Sequence, residues 1–270
     1  MFKFKCMSFQ NKVVWLTGAS SGIGEATAFE LSRQGAKVIL SSRNQQKLEQ
    51  VKIRCANPEQ VKIVPIDLDD YSKSSKLVQE ALVLFGSIDI LINNGGISQR
   101  SLAIDTGMVI DERIFKTNYF GTVALTKALL PYFVARKQGH IVVVTSVVGK
   151  LGTPLRSSYA ASKHALHGFF DSLRAEVHQH HIDVTLVCPG YVNTAISLNA
   201  LTADGSPQNR MDNKTAKGLD PSYFAKKMLS AIRRKKQEVV IGGFLEKLSV
   251  YVKRFFPKAL SAMIRKLAVT

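Results

Sequence analysis

The stretch TGASSGIG, residues 17–24, stands between a short apolar run and a helix-like segment, and it decides the expected fold. The run before it, KVVWLT (12–17), has the β-branched and aromatic residues typical of strands. Gly18 permits a tight turn, Gly22 leaves room for a pyrophosphate, and Gly24 allows close packing of helix on strand. Free N–H groups at the helix start would face the phosphates. An ordinary tight turn is the alternative, because the spacing is looser than the six-residue dinucleotide fingerprint.

Strand-like and helix-like segments alternate along the rest of the chain. The strand-like runs are almost continuously apolar, as expected of strands that are buried on both faces of a sheet. This alternation implies right-handed crossovers and predicts an α/β protein with a doubly wound parallel sheet, the Rossmann fold. The predicted strands are 12–17, 36–42, 61–66, 88–93, 140–146, 182–188 and 238–242, and the predicted helices lie near 23–34, 44–55, 72–85, 109–136, 158–179 and 221–236.

No linker divides the chain, and its 270 residues suit one large domain. We predict that residues 1–243 form this domain and that 244–270 form a helical tail. The irregular stretch 194–219 is long for a loop inside a compact domain, and it is interpreted as a substrate lid.

The composition narrows the partners and the compartment. A net charge of +17 favours anionic partners such as nucleotides or acidic lipid, while no zinc spacing or RNA-binding aromatic signature supports nucleic acid. Cys6, Cys55 and Cys188 are scattered, so they predict neither a disulfide framework nor a metal site, and a reducing compartment fits best. The chain start is too interrupted by lysine for a signal peptide or a spanning helix, so we expect a soluble, cytoplasmic protein.

The second predicted strand ends in SSRN, which bears on the choice of cofactor. An acidic residue at this place usually holds the ribose 2′-hydroxyl of NAD, but here Ser42 occupies it and Arg43 follows. An arginine can bind a 2′-phosphate, and Ser20 or Ser21 could add hydroxyl contacts, so NADP(H) is predicted over NAD(H). The alternative is a surface arginine at a strand end.

Two more polar stretches follow predicted strands. Asp67, in DLDD after the third strand, is a candidate acceptor for an adenine edge. NNGG at 93–96 follows the fourth strand, where asparagines can bond the neighbouring backbone and glycines let it approach a ribose. Each stretch taken alone is as well explained by a structural turn.

The stretch SSYAASKHALHGFF (157–170) places Tyr159 and Lys163 four residues apart, one helical turn. A fixed ammonium, with an oxidised nicotinamide ring, would lower the pKa of the phenol from ~10 by ~1–3 units. Such a phenol is an effective general acid–base near working pH. The alternative is a solvated helix face with an aromatic neighbour.

Taken together, these motifs favour cofactor binding and catalysis over the structural alternatives given for each stretch alone. TGASSGIG, NNGG, Asn118, Ser146, YAASK and PGYVNT occur in order over about residues 11–242, with Tyr159 at the proper interval after Ser146. The chain resembles the short-chain dehydrogenase/reductase (SDR) family, and details such as NYFGTVALTKALLP look most like its member 7B branch. Two departures are small: NNGG stands in place of the usual N-N-A-G, and Thr145 in place of the first of two serines.

The resemblance implies the roles of individual residues. Ser146 would orient the substrate oxygen, Tyr159 would exchange the proton, and Lys163 would also bond the nicotinamide ribose. Asn118 would hold a water in the proton relay. The implied cofactor-binding residues are Gly18, Ser20, Ser21, Gly22, Ile23, Gly24, Arg43, Asp67, Leu68, Asn94, Gly95, Tyr159, Lys163, Pro189, Gly190, Val192 and Thr194.

The expected function is therefore NADP(H)-dependent interconversion of a carbonyl and an alcohol on a small, lipophilic substrate. A non-catalytic nucleotide-binding regulator on the same fold is the alternative. A sugar-nucleotide epimerase fits less well, because such relatives need a larger C-terminal substrate region. A homodimer or homotetramer is expected, since segments 109–136 and 158–179 match helices that pair across subunits in similar enzymes.

The tail FLEKLSVYVKRFFPKALSAMIRKLAVT (244–270) gathers its charges on roughly one helix face. Pro257 is expected to kink or divide the helix. Such a segment suits peripheral contact with a membrane interface, and the alternative is that its apolar face covers the protein core or a neighbouring subunit. The opposite, apolar face carries Phe244, Leu248, Val252, Phe255, Phe256, Leu260, Ile264 and Leu267.

Overall fold

The computed structural model describes residues 7–266, with the side chain of Lys266 excepted; Cys6 and Leu267 lie outside these residues. The strands are Val13–Thr17 (β1), Lys37–Ser41 (β2), Val61–Ile63 (β3), Ile90–Asn93 (β4), Gly139–Val144 (β5), Ile182–Pro189 (β6) and Glu238–Ile241 (β7). The α-helices are Gly22–Arg33 (α1), Gln45–Ile53 (α2), Ser74–Phe85 (α3), Met108–Phe115 (α4), Gly121–Arg136 (α5), Ser157–Glu176 (α6), Asn213–Ala216 (α7), Pro221–Arg233 (α8), Phe244–Phe255 (α9) and Pro257–Lys266 (α10).

The seven strands form one parallel sheet in the order β3-β2-β1-β4-β5-β6-β7. The predicted doubly wound α/β fold is confirmed. The strand order reverses between β1 and β4, so their carboxyl ends lie side by side at the position where such sheets bind ligands.

Both faces of the sheet are buried under helices. On one face, Leu31 of α1 and Met228 of α8 belong to a core cluster with Val14 and Leu16 of β1. On the other face, Leu129 of α5 packs in a second cluster with Trp15 and other strand residues. Burial on both faces explains the near-continuous apolar runs in the sequence.

The segment that the sequence predicts as one helix, 109–136, contains a change of helical pitch. Residues Lys116–Phe120 form a π-helical turn between α4 and α5. Extra residues of this kind inside an α-helix often occur at functional sites. Asn118 lies in this turn and is fully buried.

The 194–219 segment is anchored to the body of the protein. Leu201 forms an isolated parallel bridge with Gln99, and Val192 forms one with Leu219. Ser197 and Ala200 are completely buried. Its conformation therefore depends on contacts with residues far away in the sequence.

The tail consists of two helices, α9 and α10, and Pro257 begins the second, which confirms the expected division. Leu260 is buried against Val147 and Leu151, so one side of the tail covers the protein. Within residues 7–266, no helix is both long enough and apolar enough to cross a membrane.

Candidate active site

The glycine-rich turn has the backbone geometry that its sequence predicts. Gly18 and Gly22 have φ angles of 63° and 58°, in the left-handed region that favours glycine. A Cβ atom at Gly24 would lie 2.0 Å from the carbonyl oxygen of Gly18, so only glycine permits α1 to pack so closely. Since α1 begins at Gly22, its N-terminal N–H groups open next to the turn.

The NNGG stretch fixes the edge of the sheet at this turn. The hydroxyl of Thr17 accepts hydrogen bonds from the backbone N–H groups of Asn94 and Gly95, each at 3.0 Å. The Asn94 amide donates to the carbonyl oxygens of Thr17 and Gly18, each at 3.1 Å. Asn94 therefore holds the glycine turn in place through its side chain.

A cavity of about 580 Å³ opens along the carboxyl ends of the strands. It brings together the predicted catalytic and cofactor-binding residues with two exceptions, Gly24 and Asn118, which lie just behind its wall. The members that line it are Gly18, Ser20, Ser21, Gly22, Ile23, Arg43, Asp67, Leu68, Asn94, Gly95, Ser146, Tyr159, Lys163, Pro189, Gly190, Val192 and Thr194.

The cavity wall also contains residues that the sequence reasoning missed. Lys47 and Arg113 add positive charge, and Thr117 donates a short hydrogen bond to Asp69. Lys47 lies four residues after Arg43, in the first turn of α2, so its place just after the second strand could have identified it. Arg113 lies on α4, far from Arg43 in the sequence, and no sequence pattern indicated that it would line the cavity.

Ser146 and Tyr159 meet inside the cavity. Both side chains line its wall, and the Ser146 hydroxyl accepts the backbone N–H of Val148 at 3.3 Å. Burial raises the pKa of Tyr159 above its ordinary value of 10.0, although the neighbouring Ser146 hydroxyl and the charges of Arg156 and Arg100 act in the opposite direction. For the protein groups by themselves, the net effect on the Tyr159 pKa is therefore an increase, and not the lowering expected from Lys163.

Lys163 is buried one turn further along α6. Its ammonium group donates to the carbonyl oxygen of Val144 at 2.9 Å and lies 5.9 Å from the centre of the Tyr159 ring. Burial lowers the pKa of Lys163 from 10.5 to about 8. The group is thus a cation at neutral pH, held above the ring by its backbone partner.

Asn118 connects the π-helical turn to the cavity wall. Its amide nitrogen donates to the Ile97 carbonyl and to the Ser162 hydroxyl, both at 3.0 Å, and its oxygen accepts the Ile97 N–H at 2.8 Å. Both amide hydrogens are therefore used by the protein. The water-holding role implied by the resemblance stays a prediction.

Three potential metal ligands meet beside β6, where the sequence showed no metal spacing because they come from three separate elements. His167 Nε2 lies 3.8 Å from Cys188 Sγ, and His167 Nδ1 lies 3.6 Å from a Glu238 oxygen. Burial raises the pKa of Cys188 to about 11 and lowers that of His167 to about 3. Lys150 pairs with Glu238 at 2.6 Å. This geometry suits a neutral thiol and imidazole beside an ion pair.

Comparison with known proteins places the chain among related sequences. The family model for short chain dehydrogenases matches residues 12–204. The chain is 45% identical over 255 residues to dehydrogenase/reductase SDR family member 7B of Bos taurus, covering 92% of this chain and 78% of the bovine protein. It is also 45% identical to a dehydrogenase/reductase SDR family protein 7-like of Anopheles gambiae, over 95% of this chain and 83% of that protein. The predicted resemblance to this branch is confirmed.

Solved structures share the fold. A short chain dehydrogenase from Burkholderia cenocepacia, in complex with NADP, has a TM-score of 0.80 at 23% identity, covering 96% of this chain and 99% of that chain. A short chain dehydrogenase/reductase from Burkholderia phymatum, in complex with NAD, has a TM-score of 0.77 at 22% identity, covering 96% and 93%.

Proposed function

The chain belongs to the short-chain dehydrogenase/reductase family, and we propose on this basis that it interconverts a carbonyl and an alcohol with NADP(H), using Tyr159 as the general acid–base. The observation that carries the proposal is the meeting of Ser146, Tyr159 and Lys163 in the cavity that also holds the glycine turn. A proton-transfer group and a phosphate cradle in one cavity suit hydride chemistry on a nucleotide cofactor.

The residues present fit a dinucleotide. The turn at Gly18 and Gly22 opens onto the N-terminus of α1, whose N–H groups favour phosphate. A Cβ atom at Gly22 would come within 2.9 Å of the Thr194 side chain, so this glycine keeps the passage between turn and lid open. When bound, the nicotinamide would supply or accept the hydride.

The protein groups would handle the proton and the substrate oxygen. Ser146 and Tyr159 line the same cavity, so both hydroxyls can converge on one carbonyl oxygen. In the reducing direction, Tyr159 gives its proton to that oxygen as the alcohol forms. Lys163 is charged below about pH 8 and stabilises the phenolate left behind.

An assay with a panel of aldehydes and ketones tests the proposal. We expect oxidation of NADPH that depends on the carbonyl compound, measured in parallel with NADH. Tight NADPH binding without turnover on any member of a broad panel would instead favour a regulatory protein.

We propose a preference for NADP(H) because the cavity wall carries Ser42, Arg43 and Lys47 where an acid would select NAD. Arg43→Ala should raise the Kd for NADPH ~10–150-fold, since a hydrogen bond to a charged group contributes ~1.5–3 kcal/mol. The Kd for NADH should stay nearly unchanged. Both constants can be measured by titrating the fluorescence of the reduced cofactor.

Two variants sharpen this test. Arg33→Ala removes an exposed arginine whose partner is Glu30 on α1, and it should leave both constants unchanged. Ser42→Asp should weaken NADPH through charge repulsion and improve NADH through a bond to the 2′-hydroxyl. Equal weakening of both cofactors by Arg43→Ala would contradict the assignment of the 2′-phosphate.

We also propose a lipophilic substrate. The cavity that holds Ser146 and Tyr159 is also lined by apolar side chains from the post-β4 segment and the lid, namely Ile97, Ile196 and Leu201. Apolar walls with a few convergent hydroxyls suit a substrate that presents one oxygen on a hydrocarbon body.

We propose a homo-oligomer that forms through α5 and α6. Phe120 is 45% exposed and packs in an aromatic group with Tyr71 and Tyr119, while Phe169 of α6 makes an edge contact with Tyr119. Light scattering at micromolar concentration should give a dimer or tetramer mass. Phe120→Glu should shift the mass toward the monomer, whereas Val83→Glu, at an exposed site on α3, should not. A monomeric wild-type mass would refute the proposal.

We propose that the protein is cytoplasmic, and its described cysteines, Cys55 and Cys188, are buried free thiols. We also propose that its tail contacts anionic membrane. Phe244, Tyr251 and Phe255 recur on one side of α9 and are 77%, 65% and 68% exposed. Basic residues flank them, and aromatic residues with neighbouring basic groups suit a lipid interface.

Liposome flotation tests the membrane contact. We expect the wild type to float with anionic vesicles at low salt, and Phe244→Ser/Phe255→Ser to bind much less with an unchanged Tm. The matched change Leu260→Ser should instead lower the Tm, since Leu260 is buried against the body of the protein. Failure of the wild type to float would make the tail a purely structural element.

A further inference from the structure

A buried ion network joins the lid, residues 194–219, to the start of α6, and no motif in the sequence predicts it. One oxygen of Asp212, in the lid, accepts hydrogen bonds from both Arg100 and Arg156. The Arg100 Nε bond measures 2.9 Å and the Arg156 bond 3.2 Å. The three side chains are 5%, 5% and 1% exposed in the order Arg100, Arg156, Asp212.

The network lies on the segment that supports the first turn of α6. Gln99 is completely buried, and its side-chain oxygen accepts the backbone N–H groups of Ser158 at 2.9 Å and Tyr159 at 3.3 Å. The next residue, Arg100, binds the lid backbone, because its N–H donates a hydrogen bond to the Leu201 carbonyl oxygen at 2.8 Å. Lid, network and Tyr159 are thus connected through two adjacent residues.

The network carries charge close to Tyr159. Burial would raise the pKa of Asp212, but the hydrogen bonds from Arg100 and Gln208 outweigh it and keep the pKa below its ordinary value. Asp212 is therefore a carboxylate that partly offsets two guanidinium groups. Their charges act on the Tyr159 phenol in the direction that favours the phenolate.

Other charged groups near Tyr159 come from neighbouring elements. Lys163 lies on the same helix, and Arg113 of α4 lines the same cavity. Asp111 of α4 accepts a short hydrogen bond from Ser158. These groups remain in place when the network alone is changed.

We propose that Arg100 and Arg156 are positioning residues for Tyr159, and that Asp212 of the lid sets how strongly their positive charge acts on its phenol. The inference rests on the proposed role of Tyr159 in proton transfer, but its electrostatic part concerns the phenol itself. It ties the acid–base strength of the site to the presence of the lid carboxylate.

Titration of the phenol by NMR, with ¹³C at the ζ carbon of tyrosine and Tyr159→Phe for assignment, tests the electrostatics without turnover. Asp212→Asn should shift the midpoint of Tyr159 downward by roughly one pH unit, because a negative charge is lost. Arg156→Gln and Arg100→Gln should shift it upward, and Arg156→Lys should leave it near the wild-type value. The pH at half-maximal kcat/KM should move in the same directions.

The opposite signs separate this role from a merely structural one. A network that only held the lid would lower the Tm and kcat in every variant without opposite shifts, and that result would overturn the proposal. Asp212→Asn and Arg156→Lys keep the shape of the network, so they provide the test if a glutamine variant fails to fold. If the midpoints shift as expected but Tyr159→Phe keeps its activity, the network stands and the proposed catalytic role fails.

Discussion

Tyr159→Phe should lower kcat by ~10²–10⁴-fold, the range that a general acid–base contributes. The phenylalanine keeps the ring in a site where Tyr159 is only 8% exposed, and it removes only the hydroxyl. Cofactor affinity should change little, because the glycine turn, Arg43 and Lys163 remain. Steady-state kinetics and a cofactor-binding titration on the same preparation measure both quantities.

The matched control for this variant is Tyr223→Phe, which removes a phenolic hydroxyl from an exposed position on α8. It should leave kcat and the Tm unchanged. If Tyr159→Phe instead keeps near-normal kcat, the assignment of the proton donor is wrong. A loss of cofactor binding along with the activity would point to a disturbed fold and not to proton transfer.

Lys163→Met should lower kcat/KM by ~10²–10³-fold, because the proposed phenolate would lose its nearby cation and the nicotinamide ribose would lose a proposed partner. Unlike Tyr159→Phe, it should also raise the Kd of the cofactor. Met has a similar length and suits a site where Lys163 is only 4% exposed. Lys226→Met, at an exposed position on α8, is the control with the same change of side chain.

The same variant should remove a specific pH dependence of stability. Burial lowers the pKa of Lys163 in the folded protein from 10.5 to about 8, so the unfolded chain takes up the proton first as the pH falls. The contribution of Lys163 to the free energy of unfolding of the wild type is fully present above pH 10.5. It decreases as the pH falls from 10.5 to about 8, and it is lost below that range. The loss amounts to about 3 kcal/mol.

Urea unfolding of the wild type and Lys163→Met between pH 8 and pH 10.5 measures this term, since groups remote from Lys163 titrate alike in both proteins. The free energy of unfolding of the wild type should fall, relative to the variant, as the pH is lowered. Parallel curves for the two proteins would mean that the buried ammonium is better solvated than its position in α6 suggests.

The order of strands and helices along the chain could be predicted because each element has its own local pattern of apolar and turn residues. Apolar runs such as 140–146 predicted β5, Gly139–Val144, since a strand buried on both faces must be apolar throughout. The glycine turn was readable for a similar reason, as positive φ at Gly18 and Gly22 favours that residue type. Tyr159 and Lys163 could be paired because helical spacing alone places them on one face.

Features that depend on contacts distant in sequence could not be predicted in this way. The π-helical turn at Lys116–Phe120 places Asn118 against Ile97, and periodicity in 109–136 gives no sign of it. The sequence predicted that Lys163 and an oxidised nicotinamide ring together lower the pKa of Tyr159. Among the protein groups by themselves, burial of the phenol outweighs the charges around it and raises that pKa.

The sequence by itself determined the family, the parallel sheet and most of the groups that meet at its carboxyl edge, because motifs, backbone conformation and hydrophobic periodicity are local properties of the chain. Only the tertiary structure decided that Arg100, Arg156 and Asp212 form one buried network beside Tyr159. Solvation and electrostatic energies depend on the distance between groups in space, and folding brings residues 100 and 212 together although 111 residues separate them along the chain.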